Sequence, residues 1–335
     1  MVFVGNYLRN LGGMLLGAEP IRPLLFSYYI THRCALNCCY CSDGDGRPFK
    51  ADSVPELGTA DAKRLISLLR GAADTLDISG GEPLLRADLE AILAHARSLG
   101  FRTVLNTKGP GLEERPDLLR LTDVLVLSVD ALEASRLAGL IGAAAATAER
   151  ILSVLHWTIA AGRSSGTRVV LSAVATPSNL DDVSTVLQFA LQNGLGFQVS
   201  PQIVGTHMHP ELRHNARYRR LIDEVLTAKR RCPGVLGIPR YLVGIRDCGP
   251  FRCRPLLMPT IRPDGRMYYP CLESKRAEVD LLAAGSYFAA LRAARRTFGR
   301  VPRCGDRCQI FCHMALSLLQ AHPWAALREL RHWRN

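Results

Sequence analysis

The residues with the clearest chemical potential lie in one short loop, where three cysteines, Cys34, Cys38 and Cys41, are spaced C-x3-C-x2-C. The loop follows the apolar run 24–30, which predicts a buried strand. Three thiolates on one loop can hold three corners of an iron–sulfur cluster. Because a four-iron cluster needs four ligands, three cysteines leave one iron open, and chemistry could begin at that iron.

Two other interpretations of these cysteines are open at this point. With His32 they make a Cys3His set, which is common in structural zinc sites. Zinc sites usually pair cysteines as C-x2-C with a second pair farther along the chain, and His32 is too close to Cys34 for that pattern. Inert buried cysteines are the other alternative, since free cysteine packs as a small hydrophobe. The spacing alone favours the open cluster but does not decide.

Composition and cysteine use indicate the compartment. The chain has 335 residues, 48% of them hydrophobic, which is enough for one large domain or two smaller ones. No apolar run approaches the ~20 residues of a membrane span, and residues 1–20 lack the features of a signal peptide. The eleven cysteines are clustered, which is typical of metal ligation in a reducing compartment. We therefore expect a cytoplasmic protein.

The chain is basic, with a formal charge of +12 from 42 Lys and Arg against 30 Asp and Glu. A basic surface can serve nucleic acid, an anionic membrane or an acidic substrate. The sequence has no basic stripe interleaved with aromatic residues and no zinc-finger or RNA-binding signature, which disfavours nucleic acid as a partner. An arginine-rich genome would explain the charge equally well.

Apolar strand-like runs alternate with amphipathic helical runs through the first 200 residues. We predict strands over residues 24–30, 75–79, 102–106, 124–130, 168–175 and 196–200. We predict helices over residues 59–70, 89–99, 143–161 and 181–192, with Gly162 ending the third. Six strands that alternate with helices predict a parallel sheet. In a curved parallel sheet, the site forms at the C-terminal ends of the strands.

The second predicted strand ends in a turn with its own chemical signal, Gly80-Gly81-Glu82-Pro83. Two glycines let the backbone approach a ligand closely, and the proline fixes the turn. The exposed backbone groups and Glu82 could bind the ammonium of an amino-acid-like ligand. Alone, the motif would be an ordinary strand–loop turn, but the predicted topology places it opposite the cysteine loop.

Together these motifs resemble those of the radical S-adenosylmethionine (SAM) enzymes, over roughly residues 24–204. The cysteine loop has Tyr40 before its last cysteine, as in that family, and the turn at 80–83 resembles the motif that binds the amino group of SAM. Ser128 and Asp130 match positions that often contact the ribose or sulfonium of SAM, and Asn106 is a weaker match.

The resemblance implies the fold, the cofactors and the reaction. The fold would be an α/β partial (β/α)6 parallel barrel over residues 23–232, after an N-terminal lead-in of residues 1–22. The cofactors would be SAM and a [4Fe–4S] cluster on Cys34, Cys38 and Cys41, reduced by a flavodoxin- or ferredoxin-type donor. Reductive cleavage of SAM would give a 5′-deoxyadenosyl radical, which abstracts hydrogen from a substrate or adds to it. The extra Cys39 would point away from the cluster, and serine there should be tolerated.

A second group of cysteines begins near residue 246. Its members are Cys248, Cys253, Cys271, Cys304, Cys308 and Cys312. The turn at residues 263–265, between two extended runs, predicts a hairpin with Cys253 and Cys271 at its outer ends. Cys308 and Cys312 would lie on one face if their segment were helical. Six cysteines suffice for one further cluster but not for two.

This region, residues 233–320, resembles the SPASM or twitch extensions that carry auxiliary [4Fe–4S] clusters. It departs from their pattern in the gap from Gly265 to Cys271 and in the final C-x3-C-x3-C group. We expect one auxiliary cluster, held by Cys253, Cys271 and two of Cys304, Cys308 and Cys312. The role of Cys248 stays open, and a zinc site is the alternative.

The substrate is the least determined feature. The expected function is a radical SAM enzyme that modifies a peptide or small organic substrate by hydrogen abstraction. The arrangement also resembles hopanoid-pathway enzymes, which act on a lipid. The C-terminal helix 321–335 sets Trp324 and Leu327 against arginines and could lie on an anionic membrane, although a docking helix over the barrel is favoured. A non-catalytic iron–sulfur electron-transfer protein is the rival from another class, but such a protein needs no amino-acid-binding turn.

Overall fold

The computed structural model describes residues 2–42, 46–273, 277–301 and 308–333. The strands are β1 Phe26–Thr31, β2 Thr75–Gly80, β3 Arg102–Thr107, β4 Val124–Ser128, β5 Arg168–Ala175, β6 Gly196–Pro201, β7 Ile203–Val204, β8 His207–Met208, β9 Thr260–Ile261, β10 Arg266–Tyr269 and β11 Ala277–Asp280. The helices are α1 Val2–Leu15, α2 Thr59–Arg70, α3 Leu89–Ser98, α4 Asp117–Arg120, α5 Ala134–Ile141, α6 Ala145–Ser165, α7 Leu180–Gln192, α8 Pro210–Arg213, α9 Ala216–Arg231, α10 Pro239–Asp247, α11 Leu281–Ala284, α12 Tyr287–Phe298, α13 Phe311–Ala321 and α14 Pro323–Trp333.

Nine strands form one sheet, in the order β11-β10-β9-β1-β2-β3-β4-β5-β6. Strands β1 to β6 are neighbours in chain order and pair in parallel. Each is joined to the next through at least one helix. The sequence predicted these six strands and a partial (β/α)6 parallel barrel, and both predictions are confirmed. All six C-terminal strand ends therefore meet at one rim.

The strands alternate between a face covered by helices and a face turned to the barrel interior. On β2, Leu76 and Ile78 pack in the core with the helices, whereas Asp77 between them bonds to Ser27 of β1 and Asn106 of β3. On the far side of the interior, Val126 and Val170 form an apolar patch. The interior thus has polar side chains on β1 to β3 and an apolar patch that extends from β4 and β5 to Val104 of β3.

The predicted hairpin around residues 263–265 is present. The backbone N–H of Gly265 donates to the carbonyl of Arg262 at 3.0 Å, and β9 and β10 pair antiparallel on either side of the turn. The structure adds that β9 pairs in parallel with β1. The cysteine-rich region consequently continues the barrel sheet.

The expected helix over residues 143–161 differs from the observed one. Helix α6 runs through Gly162 and ends at Gly166, whose φ of +74° is the left-handed conformation of a helix cap. Gly162 is small for packing, since a Cβ there would lie 2.7 Å from a side-chain carbon of Val169. Gly162 thus permits close packing of α6 against β5, and Gly166 ends the helix.

Helix α14 covers one end of the molecule. Its Ala326 is buried with Tyr7 of α1 and with Leu257, as in a docking helix, while Trp324 stays 78% exposed. Within the described ranges no single helix is long and apolar enough to cross a membrane. The pair α5 and α6 reaches the required length and composition only together, across a bend of 112°.

Candidate functional site

The cysteine loop leaves β1 and is held against the C-terminal end of α5. The backbone N–H of Asn37 donates to the carbonyl of Ile141 at 2.9 Å, and that of Cys39 donates to Leu140 at 3.1 Å. Leu36 is buried in the core around this helix. The loop therefore uses the helix-end carbonyls that have no partner within the helix.

The thiols of Cys34, Cys38 and Cys41 are close enough to influence one another. Burial raises the pKa of Cys34 and of Cys38. Burial, and then the charges of the Cys38 and Cys34 thiolates, raise the pKa of Cys41 to about 11. The Cys39 side chain is exposed to solvent. A cluster or ion that binds the thiolates would therefore displace protons from them.

The described residues contain no group of three or more His, Cys, Asp or Glu side chains placed to hold a single metal ion. A four-iron cluster spreads its thiolate ligands more widely than one zinc ion does, because each ligand binds a different iron.

The turn at Gly80 and Gly81 lies against the chain that enters the cysteine loop. The N–H of Gly81 donates to the carbonyl of Thr31, and that of Glu82 to Arg33, both at 2.8 Å. A Cβ at Gly80 would lie 2.2 Å from the Thr31 oxygen, and one at Gly81 would lie 2.2 Å from the Arg33 oxygen. The glycines thus permit the close approach of β2 to the end of β1, which differs from the expected approach to a ligand.

The carboxylate of Glu82 is engaged within the protein. One oxygen accepts from the Thr107 hydroxyl at 2.6 Å and from the Leu84 N–H at 3.1 Å, and the other accepts from the Lys108 N–H at 3.0 Å. The side chain is 3% exposed. Its observed role is to tie the end of β3 to the turn, in which Pro83 begins a short 3₁₀ helix.

Asn106 and Ser128 lie on interior-facing positions of β3 and β4. The amide of Asn106 donates to Asp77, and Ser128 pairs in register with Ser172 of β5. Burial raises the pKa of Asp77 to about 6. Asn106, expected as a weak SAM contact, thus helps to hold a carboxylate inside the barrel.

Lys108, which the sequence reasoning missed, joins Tyr40 and Asp130 in one network. Its ammonium donates to the Tyr40 hydroxyl at 2.8 Å and forms an ion pair with Asp130. The Tyr40 hydroxyl also donates to Asp130, whose other oxygen accepts from the Val174 N–H at 2.9 Å. Asp130, expected to contact SAM, is occupied by these partners. The available signal was a lysine directly after a strand at the rim.

The network is electrostatically coupled to the cysteine loop. Burial by itself lowers the pKa of Lys108, but Asp130 and the Cys38 thiolate outweigh it and raise that pKa above its usual value. In return, the Lys108 charge opposes the burial effect on the pKa of Cys38. Burial and then Asp130 raise the pKa of Tyr40 well above its usual range, so the tyrosine stays protonated.

The second cysteine group gathers around the start of α13. Cys253 is half-buried, and the N–H of the next residue, Arg254, donates to Ser317 of α13 at 2.8 Å. Cys271 is 7% exposed. Burial raises the pKa of Cys312 to about 12, with Glu273 from the Cys271 loop and then Cys308 adding to the shift. Three separate segments therefore bring thiols to one region.

The condition for placing Cys308 and Cys312 on one helical face is not met, because α13 begins only at Phe311. Gln309 instead fixes this segment, since its N–H donates to Thr206 at 2.7 Å and its side-chain oxygen accepts from Met208 at 3.0 Å. The expected ligand Cys304 lies outside the described residues.

Cys248, whose role the sequence left open, lines a cavity of about 240 Å³ together with Cys308 and Arg213. It ends α10 with a φ of 54°, which is unusual for a residue with a side chain. Its thiol therefore belongs to the same region of the fold as the predicted auxiliary ligands.

Comparison with known families identifies the barrel. Residues 28–190 match the model of the radical SAM superfamily. This segment is a radical SAM domain. The match begins on β1 and ends in α7, and it includes the cysteine loop, the turn at 80–83 and the Lys108 network.

Two groups of curated relatives are similar to about half of this chain. A PqqA peptide cyclase of Xanthomonas euvesicatoria is 35% identical over 181 residues, which are 51% of this chain and 45% of the relative. A GTP 3′,8-cyclase of Rhodococcus opacus is 31% identical over 176 residues, which are 50% of this chain and 47% of the relative. The chain spans about half the length of these relatives.

The fold likeness extends beyond the radical SAM domain. The structure of Streptococcus suis SuiB bound to its precursor peptide SuiA matches with a TM-score of 0.60 and 16% identity. The match covers 83% of this chain and 67% of SuiB. Because residues 28–190 are about half of the chain, the shared fold extends beyond the radical SAM domain.

The side chains of the radical SAM domain fit the cofactors of its family, a [4Fe–4S] cluster and SAM. Cys34, Cys38 and Cys41 would hold the cluster, and they are the mutually interacting thiols at the rim. When bound, the two cofactors supply a one-electron cleavage that yields a carbon radical. The protein supplies the thiolates, a buried cation beside them and a partly polar interior that opens at the same rim.

Proposed function

We propose that this chain cleaves SAM reductively and uses the resulting radical to abstract hydrogen from a peptide substrate. The observation that carries the proposal is the position of the three loop thiols. They stand at the C-terminal rim of a parallel barrel, directly beside the Gly80-Gly81 turn. That rim is where the chemistry of such barrels is found.

Different residues of the rim bind the cluster, bind SAM and hold Lys108 in place. Cys34, Cys38 and Cys41 hold the cluster, and the partly exposed backbone of Gly80 and Gly81 together with Ser128 offers contacts for SAM. Tyr40 and Asp130 act through Lys108 rather than by touching SAM. Among the C-terminal cysteines, we propose that Cys253, Cys271 and Cys312 hold an auxiliary cluster with either Cys304 or Cys308. A low-potential flavodoxin- or ferredoxin-type protein supplies the electron.

The peptide as substrate is supported by the relatives. The curated relative with 35% identity is named a peptide cyclase, and SuiB was captured with its precursor peptide. The barrel interior combines polar side chains, such as Ser128, Ser172 and Gln198, with the apolar patch of Val126 and Val170, which suits a peptide side chain of mixed polarity.

A nucleotide is the second candidate, because a GTP 3′,8-cyclase matches a similar share of the chain, 50%, with 31% identity. The interior carboxylate of Asp77 works against it, since a polyphosphate next to a carboxylate meets electrostatic repulsion. The basic surface works for it, as +12 charges attract anions. Direct comparison of the two substrates decides between them.

The test of the core activity is SAM cleavage under strict exclusion of oxygen. The protein is reconstituted with iron and sulfide, mixed with SAM and dithionite, and 5′-deoxyadenosine is measured by mass spectrometry. We expect release by the wild type and none by the Cys34→Ala, Cys38→Ala, Cys41→Ala triple variant. Release at the same rate by both proteins would contradict the proposal.

The substrate test follows the hydrogen atom. Deuterated peptides from open reading frames next to the gene are added to the reaction, and GTP is added in a parallel reaction. We expect deuterium in 5′-deoxyadenosine with a peptide, and no turnover of GTP. Turnover of GTP with no transfer from any peptide would replace the peptide by a nucleotide as the substrate.

A further inference from the structure

Lys108 is a buried cation that contacts the cysteine loop through Tyr40. Its side chain comes from the residue after β3, and its residue is 9% exposed. Its ammonium contacts Tyr40, which lies between Cys39 and Cys41 in the sequence, at 2.8 Å. The Lys108 charge lowers the pKa of the Cys38 thiol most, and it acts more weakly on those of Cys34 and Cys41.

The cation is fixed in place by oxygen partners. Asp130 pairs with the ammonium and is itself anchored, because its second oxygen accepts the Val174 N–H at 2.9 Å. The Lys108 backbone N–H donates to Glu82 at 3.0 Å. The lysine is therefore held both at its backbone and at its ammonium.

A charge in this position has a defined effect on a bound cluster. A [4Fe–4S] core with three thiolates is negatively charged, and one-electron reduction makes it more negative. A nearby buried cation stabilises the reduced form more than the oxidised form, because Coulomb energies are large where water is excluded. Charge and hydrogen bonding around the sulfurs are among the factors that set cluster potentials.

We propose that the charge of the Lys108 ammonium raises the reduction potential of the cluster held by Cys34, Cys38 and Cys41. Asp130 and Tyr40 act through it: they hold the ammonium beside the loop, and the Asp130 carboxylate offsets part of its charge. The inference rests on the proposed cluster site, and it adds a residue outside the cysteine and glycine motifs.

The experiment is a potentiometric titration of the anaerobically reconstituted full chain. Electron paramagnetic resonance measures the reduced cluster at each potential. The signal that changes on addition of SAM reports the cluster with the open iron. In Lys108→Met we expect the midpoint to become more negative, with about a tenfold lower ratio of reduced to oxidised cluster at a fixed potential. That change corresponds to about 59 mV for a one-electron couple.

Three further variants separate charge from structure. Lys108→Arg keeps the cation and should stay near the wild type. Lys108→Met with Asp130→Asn removes both charges, so its midpoint should lie between those of the wild type and Lys108→Met. Lys229→Met is the matched control, since Lys229 is also a buried lysine, paired with Glu329 at 2.7 Å, but lies on α9. It should leave the midpoint unchanged.

The outcomes are distinguishable. An unchanged or more positive midpoint in a folded, iron-loaded Lys108→Met protein overturns the inference. A loop that is merely loosened would admit water, and because water stabilises the more highly charged reduced form, the midpoint would then become more positive. A double variant at or below the midpoint of Lys108→Met also overturns it. If the wild type binds no SAM-responsive cluster at all, the proposed function fails first.

Discussion

Single residues at this rim have partners that their types did not reveal. Glu82 and Asp130 both match positions associated with SAM binding, yet the structure gives each carboxylate its donors within the protein. A buried carboxylate must be paired or hydrogen-bonded to remain charged. These two carboxylates thus build the site by fixing the 80–83 turn and Lys108.

The four cysteines of the loop should behave in two classes. Cys39→Ser should reconstitute with the same iron content as the wild type, because the Cys39 thiol does not interact with the other loop thiols, whereas Cys41, which is also exposed, interacts with Cys38 and Cys34. Cys41→Ser should bind less iron and release no 5′-deoxyadenosine. Iron and 5′-deoxyadenosine are measured on both variants after the same reconstitution. Equal iron loss in the two variants would argue against Cys41 as a ligand.

Asp77 should make the stability of the fold depend on pH. Its pKa is about 6 in the folded protein, raised by burial, against ~3.9 in an unfolded chain. The protonated acid is thus favoured by folding, so its contribution is complete below pH ~4 and is lost as the pH rises through about 6. The free energy of unfolding should fall over that window by up to ~3 kcal/mol, at about 1.4 kcal/mol per pKa unit.

Urea unfolding of the wild type and Asp77→Asn at several pH values between 4 and 7 measures this effect. The amide does not titrate, so the variant should lose that fall in stability. Identical pH profiles would show that Asp77 has an ordinary pKa.

At the scale of elements, the cysteine loop is a structure shared between β1 and α5. The last carbonyls of α5 accept the N–H groups of Asn37 and Cys39. Gly142 caps the helix with a φ of +57°, and a Cβ there would lie 2.6 Å from the Asn37 carbonyl oxygen. The loop is therefore positioned by a helix about a hundred residues later in the chain.

Gly142→Ala should disturb the loop more than the helix. A left-handed alanine costs about 1–2 kcal/mol, and the clash with Asn37 adds to it. Gly166→Ala is the matched control, because Gly166 also caps a helix with positive φ but a Cβ there meets nothing within 4 Å. We expect both variants to lose stability in thermal unfolding, and only Gly142→Ala to lose iron on reconstitution. Normal iron in Gly142→Ala would mean that the loop does not depend on its docking to α5.

At the scale of the whole molecule, β1 connects the two cysteine groups. Its C-terminal end leads into the cysteine loop, and the edge that does not pair with β2 pairs with β9 of the hairpin between Cys253 and Cys271. Burial raises the pKa of Tyr29 on this strand, and Cys312, Glu273 and Cys41 add to the shift. A cysteine of each group therefore lies within electrostatic reach of the same interior tyrosine, Tyr29.

Two clusters should be countable. Two [4Fe–4S] clusters require about eight iron atoms per chain. Cys253→Ala with Cys271→Ala should halve that number and still release 5′-deoxyadenosine, because the rim thiols are untouched. Iron analysis and the SAM cleavage assay together check this expectation. About four irons in the wild type would remove the auxiliary cluster, and loss of all iron in the variant would show that the two groups do not bind independently.

The sequence by itself determined the barrel and the location of its chemistry. Six apolar strands that alternate with helices leave few topologies, and C-x3-C-x2-C after the first strand together with Gly-Gly-Glu-Pro after the second restricts the family. These are local signals, carried by neighbouring residues, and for that reason they were legible without coordinates.

Only the tertiary structure decided the partners of these motifs. Lys108 lies 68 residues from Tyr40 in the chain, and β9 pairs with a strand more than 200 residues earlier. No local pattern marks such pairs, because they form where the closing sheet brings separate strand ends together. The same holds for the two glycines at 80 and 81. Their sequence shows that the backbone comes close to something, and the folded chain shows that it is the end of β1.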